Sequence, residues 1–334
     1  MSALPAAVPR MTKVAWYKHR AAVLGIPGLF VLAIGLLVID GLMQRAWISA
    51  HHVGACLTSF QLWPDHSPCQ SPVWYLHVSP PRTEFIVLAL ALLITAVGLF
   101  VGVPWVAREF ESGAFRYTWT QSVTPWRWLF GTFGTLVLLA AAAAALCGLA
   151  AHWWYQVAQW TGGIYDAWSV ESFELTPLSI VSWTLLAMAL ALLLGVTIRR
   201  VLPAMLAFLA VWGGCVVFAQ LWLRSHLFAV GELARRTSFD HGWALPWNSY
   251  FGGTWFTRSD GRRVDMFTVI QQMYAKGPVD ADRWLAQHHY GYWISYQPPD
   301  RLIWFQLARN GMLVVVAVLA VLAAVWWLRR RPAE

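Results

Sequence analysis

Residues Trp105–Trp128, WVAREFESGAFRYTWTQSVTPWRW, form a polar stretch between two long apolar runs. The flanking runs, Phe85–Ala107 and Leu129–Ala151, contain no charged residue. A helix of about 20 apolar residues is long enough to cross the hydrocarbon core of a bilayer. The sequence therefore predicts that the stretch is an elbow at one membrane surface, joining two transmembrane helices.

The composition of the whole chain supports a membrane location. Of its 334 residues, 58% are hydrophobic and 12% are charged, whereas an ordinary soluble domain has about 25% charged residues. We therefore predict one integral membrane domain, all-α, with six transmembrane helices. The predicted spans 1 to 6 are Ala21–Ile39, Phe85–Ala107, Leu129–Ala151, Pro177–Ile198, Val201–Leu223 and Asn310–Leu328.

Lysine and arginine follow the positive-inside pattern and set the predicted orientation. Cations are concentrated before span 1, in the 105–128 stretch, between spans 4 and 5 and after span 6. The connection 152–176 has no lysine or arginine. Both termini and the 105–128 stretch are therefore expected on the cytosolic side of the membrane. The net charge of +8 fits anionic lipid headgroups. Because the cations are not gathered on one soluble face, nucleic acid is not an expected partner.

Four regions are predicted along the chain. Residues 1–20 form a cytosolic tail, in which Thr12–Arg20 has the tryptophan, tyrosine and basic residues of an interfacial helix; a simple anchor is the alternative. Residues 21–223 carry spans 1 to 5. Residues 224–303 form an extracellular lid, with short helices at Val264–Lys276 and Asp280–His289 in otherwise extended or re-entrant chain. Residues 304–334 carry span 6 and a basic cytosolic tail.

The first external loop, Gln44–Thr83, contains Cys56 and Cys69. Because extracellular thiols oxidise, we predict a Cys56–Cys69 disulfide. A zinc site is the alternative, but no ligand pair in the loop has i,i+4 or C-x-x-C spacing. We therefore expect no metal.

The sequence has no motif for catalysis. It lacks a phosphate-binding P-loop, a G-x-S-x-G nucleophile elbow and an H-E-x-x-H metal motif. The span interiors are nearly free of ionisable residues, and Asp40 and Glu84 are interpreted as boundary residues. Small residues at Ala140–Ala145 and at Gly213-Gly214 are predicted to pack on neighbouring spans or on a second copy.

The polar stretch itself is predicted to contain a short helix. Gly113 is expected to break the chain, which would place Glu109 and Glu111 near the positive end of a new helix. Phe115 and Trp119 would then form one aromatic face, with Arg116 elsewhere on the helix. Thr124 and Pro125 supply an N-cap and a first-turn proline for span 3. The alternative is an amphipathic connector that only lies on the membrane surface.

The segment REFESGAFRYTWTQSVTPWRWL, Arg108–Leu129, closely resembles the cytosolic segment of ABC-2-type ABC transporter permeases, particularly the actinobacterial group. The chain departs from the family pattern at Ala114, where threonine is usual, and at Pro125, where arginine is usual. WYKHR at 16–20 and the YQP motif beginning at Tyr296 are weaker matches. The residues that match the central pattern are Glu109, Glu111, Gly113, Arg116, Trp119 to Thr124, Arg127, Trp128 and Leu129.

The resemblance implies a permease subunit of an ATP-driven exporter in a bacterial plasma membrane. Residues 108–124 would be a coupling helix that docks on a separate ATPase subunit, which binds ATP-Mg. A second permease copy or a paralogue would complete the transporter, and its cargo would be amphipathic or hydrophobic, as in drug efflux. The coupling residues implied are Glu109, Glu111 and Arg116 for polar contacts, with Gly113, Phe115 and Trp119.

Two other functions are compatible with a six-span chain. A membrane-bound lipid-modifying enzyme would need a convergent set of external residues, for which the candidates are Asp240, His241, Asp260 and Asp265. A non-catalytic membrane sensor or assembly protein would need no ATPase partner. An ATPase that binds the chain would distinguish the permease from both of these alternatives.

Overall fold

The structure is a computed structural model that describes residues 8–50, 82–113, 125–159, 168–239, 249–275 and 280–330. Within these ranges, six helices are long and apolar enough to cross a membrane, in agreement with the six predicted spans. The chain is thus a multi-pass membrane protein by length and composition. Spans 1 to 6 of the structure are Leu24–Ala50, Thr83–Glu111, Phe133–Val157, Pro177–Ile198, Val201–Ala229 and Pro299–Arg330.

The regular elements are mostly helical. Two short π-helical segments interrupt spans 2 and 5, at Val97–Gly102 and Phe218–Leu223, and a 3₁₀ turn, Pro299–Arg301, precedes the last helix. The α-helices are α1 Val8–Ala50, α2 Arg82–Ala96, α3 Val103–Glu111, α4 Pro125–Gln159, α5 Val170–Glu174, α6 Pro177–Ile198, α7 Val201–Val217, α8 Arg224–Ala229, α9 Met266–Tyr274, α10 Ala281–Gln287 and α11 Leu302–Arg330. The strands are β1 Leu233–Arg236, β2 Tyr250–Thr257, β3 Arg263–Val264 and β4 Gly291–Gln297.

The chain forms two compact units, which are described separately. The first comprises Met1–Tyr165, Val170–Val217 and Asn310–Glu334; the second comprises Asp166–Ser169 and Phe218–Arg309. In the first unit, span 4 is the central helix and packs against spans 2, 3 and 5. Of its most apolar window, 72% is buried, against 17% for span 5. Span 4 is therefore the core of the helical unit.

Glycines allow the closest approaches between these helices. A Cβ at Gly148 in span 3 would lie 2.5 Å from the Cα of Pro177, and a Cβ at Gly102 in span 2 would lie 2.7 Å from the Cβ of Ala191. Small residues let membrane helices pack with their backbones close together. Ala140 and Ala144 are fully buried, as predicted for this face. At Gly213-Gly214, by contrast, a Cβ would meet nothing within 4 Å.

The beginning of the chain differs from the prediction. Helix α1 is continuous from Val8 to Ala50, so the separate interfacial helix expected at Thr12–Arg20 is wrong. The external loop was also expected to begin at Gln44, but α1 continues through Ala50. Cys56 and Cys69 lie outside the described residues.

Asp40 in span 1 has a structural role beyond that of a boundary residue. Its Oδ2 accepts hydrogen bonds from Trp154 Nε1 at 2.8 Å and from Gln44 Nε2 at 2.6 Å. The guanidinium of Arg45 lies 4.8 Å from the centre of the Trp153 ring. A half-buried carboxylate is tolerated when donors satisfy it. Asp40 and Arg45 therefore attach span 1 to the tryptophan pair near the end of span 3.

The second unit contains an antiparallel sheet of four strands in the order β1-β4-β2-β3. The all-α prediction is therefore wrong in this part, because the chain predicted to be extended or re-entrant contains strands that pair into a sheet. The two short helices predicted here are confirmed as α9 and α10. Thr268 N–H and hydroxyl both donate to Asp265, the N-cap of α9, and these bonds lower the pKa of the Asp265 carboxyl.

One face of the sheet supplies the core of the second unit. Ring centroids of Phe256 on β2 and Tyr292 on β4 lie 5.1 Å apart. Both rings pack against the apolar sides of α9 and α10. The buried cluster comprises Phe256, Val269, Met273, Ala281, Leu285, Tyr290 and Tyr292.

Candidate functional site

The helix that carries span 2 ends where the central polar stretch begins. Helix α3 ends at Glu111, and Gly113 has a left-handed backbone with φ +67°. Only glycine adopts this conformation without strain, so the predicted break at Gly113 is confirmed. Helix α4 begins at Pro125, as predicted. Residues 114–124, with Phe115, Arg116 and Trp119, lie outside the described residues.

The two acidic residues of the stretch lie before the break, in the last turns of α3. The expectation that they begin a new helix is therefore wrong. A carboxylate at the C-terminal end of its own helix is unfavourable. Glu111 is compensated by another helix, since its Oε2 accepts a hydrogen bond from the backbone N–H of Val201 at 3.1 Å. Val201 is the first residue of span 5, where negative charge is favourable.

The short turn between spans 4 and 5 also contacts the end of span 2. Arg199 ends span 4 in a left-handed conformation with φ 58°, which is uncommon for a residue other than glycine. Its guanidinium lies 5.7 Å from the centre of the Phe110 ring, a cation–π distance. This tight hairpin was predicted from the sequence, but its contact with span 2 was not.

The backbones of spans 2 and 4 touch directly below this turn. A Cβ at Gly195 would lie 2.8 Å from Val106 Cβ and 3.4 Å from Ala107 N. Glu109, on the same helix, is 4% exposed. We call the group Val106, Phe110, Glu111, Gly195 and Arg199 the corner. It joins the ends of spans 2, 4 and 5 through a hydrogen bond, a cation–π contact and direct backbone packing.

Span 2 has a second unusual feature one turn from the corner. The π-helical segment Val97–Gly102 lies immediately before Pro104. Proline has no N–H to donate and its ring crowds the carbonyl of the preceding turn, and a wider turn relieves both effects. Wide turns of this kind often occur at functional sites.

The described residues contain no group of three or more His, Cys, Asp or Glu side chains that could hold a metal ion. Asp265 caps α9, and Asp260 accepts from the backbone N–H of Arg262 at 3.0 Å. Both carboxylates therefore serve local structure. Asp240 and His241, the other candidates for a lipid-modifying enzyme, lie outside the described residues.

A comparison with protein-family models matches residues 27–224 to ABC-2 membrane transporter related. The chain belongs to this family. The match covers more than half of the chain, contains spans 2 to 4, most of spans 1 and 5 and the corner, and ends before the sheet. The resemblance inferred from the 108–129 motif is thereby confirmed. Comparisons with curated proteins and with solved structures found no match.

Membership in the ABC-2 membrane transporter related family makes the chain a membrane component related to ABC-2 transporters. Such components are typically permeases without an ATPase domain. Gly195 and Arg199 were missed at the sequence level. Gly98-x-x-x-Gly102 in span 2 is a G-x-x-x-G pattern that favours close helix packing, and it could have indicated the contact with span 4.

Proposed function

We propose that the chain is the permease subunit of an ATP-driven exporter, and that residues 108–124 transmit the work of a separate ATPase. The observation that supports this best is the corner. The coupling segment begins at a helix end that contacts two other spans, through Glu111 and Arg199. A force applied to the segment would therefore reach spans 2, 4 and 5 together.

The proposed mechanism is a rigid-body movement driven by nucleotide. ATP-Mg binds the ATPase subunits, whose closure pushes on Glu109, Glu111, Phe115, Arg116 and Trp119. Gly113 has a left-handed backbone just after the end of the helix at Glu111. Packed helices shift between discrete arrangements rather than deform continuously. The corner would keep the ends of spans 2, 4 and 5 in register while they tilt from an inward-facing to an outward-facing state.

The proposed assembly holds two permease chains and two ATPase chains. The open glycine pair Gly213-Gly214 on span 5 suits a close helix contact with a second copy or a paralogue. The cargo would be amphipathic or hydrophobic. The proposed orientation places both termini and residues 108–124 in the cytosol, and the connection between spans 5 and 6 outside.

Purification from native membranes tests the proposed function. We expect an affinity-tagged chain to retain an ATP-binding polypeptide in equimolar amount, with ATP hydrolysis that responds to the permease. The control is the Trp119→Ala variant, which should insert equally well but retain less of the ATPase. Purification of the intact wild-type chain without any ATPase would contradict the proposal. It would favour the sensor or the lipid-modifying enzyme.

A further inference from the structure

The second face of the four-stranded sheet is unlike the core face. Directly opposed residues of antiparallel strands lie on the same face. The register pairs Arg236 on β1 with Trp293 on β4, and Trp293 with Trp255 on β2. Arg263 on β3 joins this group, since its guanidinium lies 4.2 Å from the centre of the Trp255 ring. We call these four residues the Trp–Arg row.

The Trp–Arg row is held flat against the sheet but stays accessible. Trp293 Nε1 donates to Thr257 Oγ1 at 2.9 Å. Gly291 makes room for this indole, because a Cβ there would lie 3.1 Å from Trp293 Nε1. Both tryptophans are half-buried, and both arginines are exposed. The row thus presents two indole surfaces flanked by two positive charges.

The other end of the same face packs on the ends of spans 5 and 6. Gln297, two residues beyond Ser295 on β4, donates through Nε2 to the carbonyls of Phe228 and Val230 at 3.0 and 2.9 Å. Its register partner Tyr250 has its ring centroid 5.0 Å from that of Phe228 in α8. Phe228 in turn lies 5.7 Å from Phe305, in the first turn of α11. This end of the face therefore packs against the end of span 5, which in turn contacts the start of span 6.

Exposed tryptophans mark the level of the membrane surface at these span ends. Trp222 at the end of span 5 is 50% exposed, and Trp304 at the start of span 6 is 69% exposed. Tryptophan is enriched at the headgroup level of bilayers. The Trp–Arg row lies on the same face of the sheet as Gln297 and Tyr250, which contact Phe228 at the end of span 5.

The charge of this face selects the partner. On this face the strands carry Arg236 and Arg263, whereas Arg235 pairs with Ile294 on the other face, and the four strands contain no aspartate or glutamate. Glu232, which precedes β1, is half-buried near Ser295 at the span end of the face. Arginine recognises phosphate, and indoles favour the interfacial zone. We propose that the Trp–Arg row binds the headgroups of anionic phospholipids in the leaflet where spans 5 and 6 end.

This proposal is independent of the proposed transport function, because it requires only that spans 5 and 6 cross the membrane. A photo-reactive side chain tests it in the full-length protein. The variant Trp255→p-benzoylphenylalanine is reconstituted in nanodiscs of phosphatidylglycerol or phosphatidylcholine, illuminated and weighed by mass spectrometry. We expect lipid adducts that favour phosphatidylglycerol. Phe267→p-benzoylphenylalanine is the matched control, since Phe267 is 67% exposed on α9, and it should give no lipid adduct.

Charge reversal supplies a second readout. Arg236→Glu and Arg263→Glu should each lower the phosphatidylglycerol adduct by about fivefold, whereas Arg283→Glu on α10 should leave it unchanged. Inorganic phosphate should not compete with the lipid for the row, because the bilayer holds its headgroups at a high local concentration. Trp293→p-benzoylphenylalanine gives an independent position if the first variant fails to fold. Equal adducts with both lipids, competition by phosphate, or cross-linking to a second copy of the chain would each overturn the proposal.

Discussion

Replacing Glu111 by lysine is expected to reduce the coupling between ATP hydrolysis and transport by about tenfold, within the usual range of coupling free energies between sites. The carboxylate accepts from Val201 N–H at the start of span 5. A lysine there can accept no hydrogen bond and brings positive charge to the positive end of a helix. The end of span 2 would then move without carrying span 5.

The measurement compares ATP hydrolysis with ATP-dependent accumulation of an amphipathic dye, in vesicles that contain the purified complex. Glu111→Gln retains an oxygen acceptor and should keep most of the coupling. Glu84→Lys is the matched control, since Glu84 is an exposed acid in the first turn of the helix that begins span 2. Coupled transport at the wild-type rate by Glu111→Lys would exclude a role for the corner in transmission.

Replacing Gly148 by alanine is expected to destabilise the helical unit by about 2 to 3 kcal/mol, as overpacking of a close contact does. The new Cβ would lie 2.5 Å from Pro177 Cα, and 3.2 Å from both Pro177 N and Pro177 Cβ. These are atoms of the backbone and of a rigid ring, so no flexible side chain can move aside. Span 3 and the start of span 4 must separate instead.

Gly134→Ala is a matched control for this prediction, because Gly134 lies on the same helix and a Cβ there would meet nothing within 4 Å. Alanine favours a helix over glycine by about 1 kcal/mol, so this variant should melt at or above the wild-type temperature in detergent. A Gly148→Ala protein that melts with the wild type would show that spans 3 and 4 are not in close contact at Pro177.

The helical part of the fold was largely predictable because each span has a local signal. Span 4 was predicted with its observed bounds, since its uncharged apolar run begins at Pro177 and ends at the Arg199-Arg200 pair. Span 1 was predicted too short, because Asp40 and Arg45 were taken to end it. Their partners Trp154 and Trp153 lie more than a hundred residues away, so the sequence around Asp40 and Arg45 does not indicate these contacts.

The sheet was missed for a different reason. GYWISYQ at 291–297 is rich in aromatic and β-branched residues and is typical of a strand, but this glycine-, proline- and tryptophan-rich region was interpreted as extended or re-entrant chain without a sheet. The glutamine of the Tyr-Gln-Pro motif that ends this strand, Gln297, has a structural role. Gln297 is fully buried and binds the carbonyls at the end of α8. Such a contact closes about seventy residues of chain and cannot be inferred from periodicity.

The corner was only half predictable. Gly113 was predicted to break the chain, because glycine is the residue that tolerates a left-handed backbone. The partner of Glu111 was not predicted, since the acceptor and donor are 90 positions apart. The helix-dipole argument did indicate that Glu109 and Glu111 need a positive helix end nearby. For Glu111, span 5 supplies that end.

Site-directed photo-cross-linking at Trp119 tests the central claim most directly. Trp119→p-benzoylphenylalanine is placed in the full-length chain, expressed with the ATPase that co-purifies with it, and illuminated in native membranes. We predict a covalent adduct between the permease and the ATP-binding polypeptide, and no such adduct from Phe267→p-benzoylphenylalanine in the sheet unit. An ATPase adduct at Phe267 and none at Trp119 would contradict the assignment of residues 108–124 as the coupling segment.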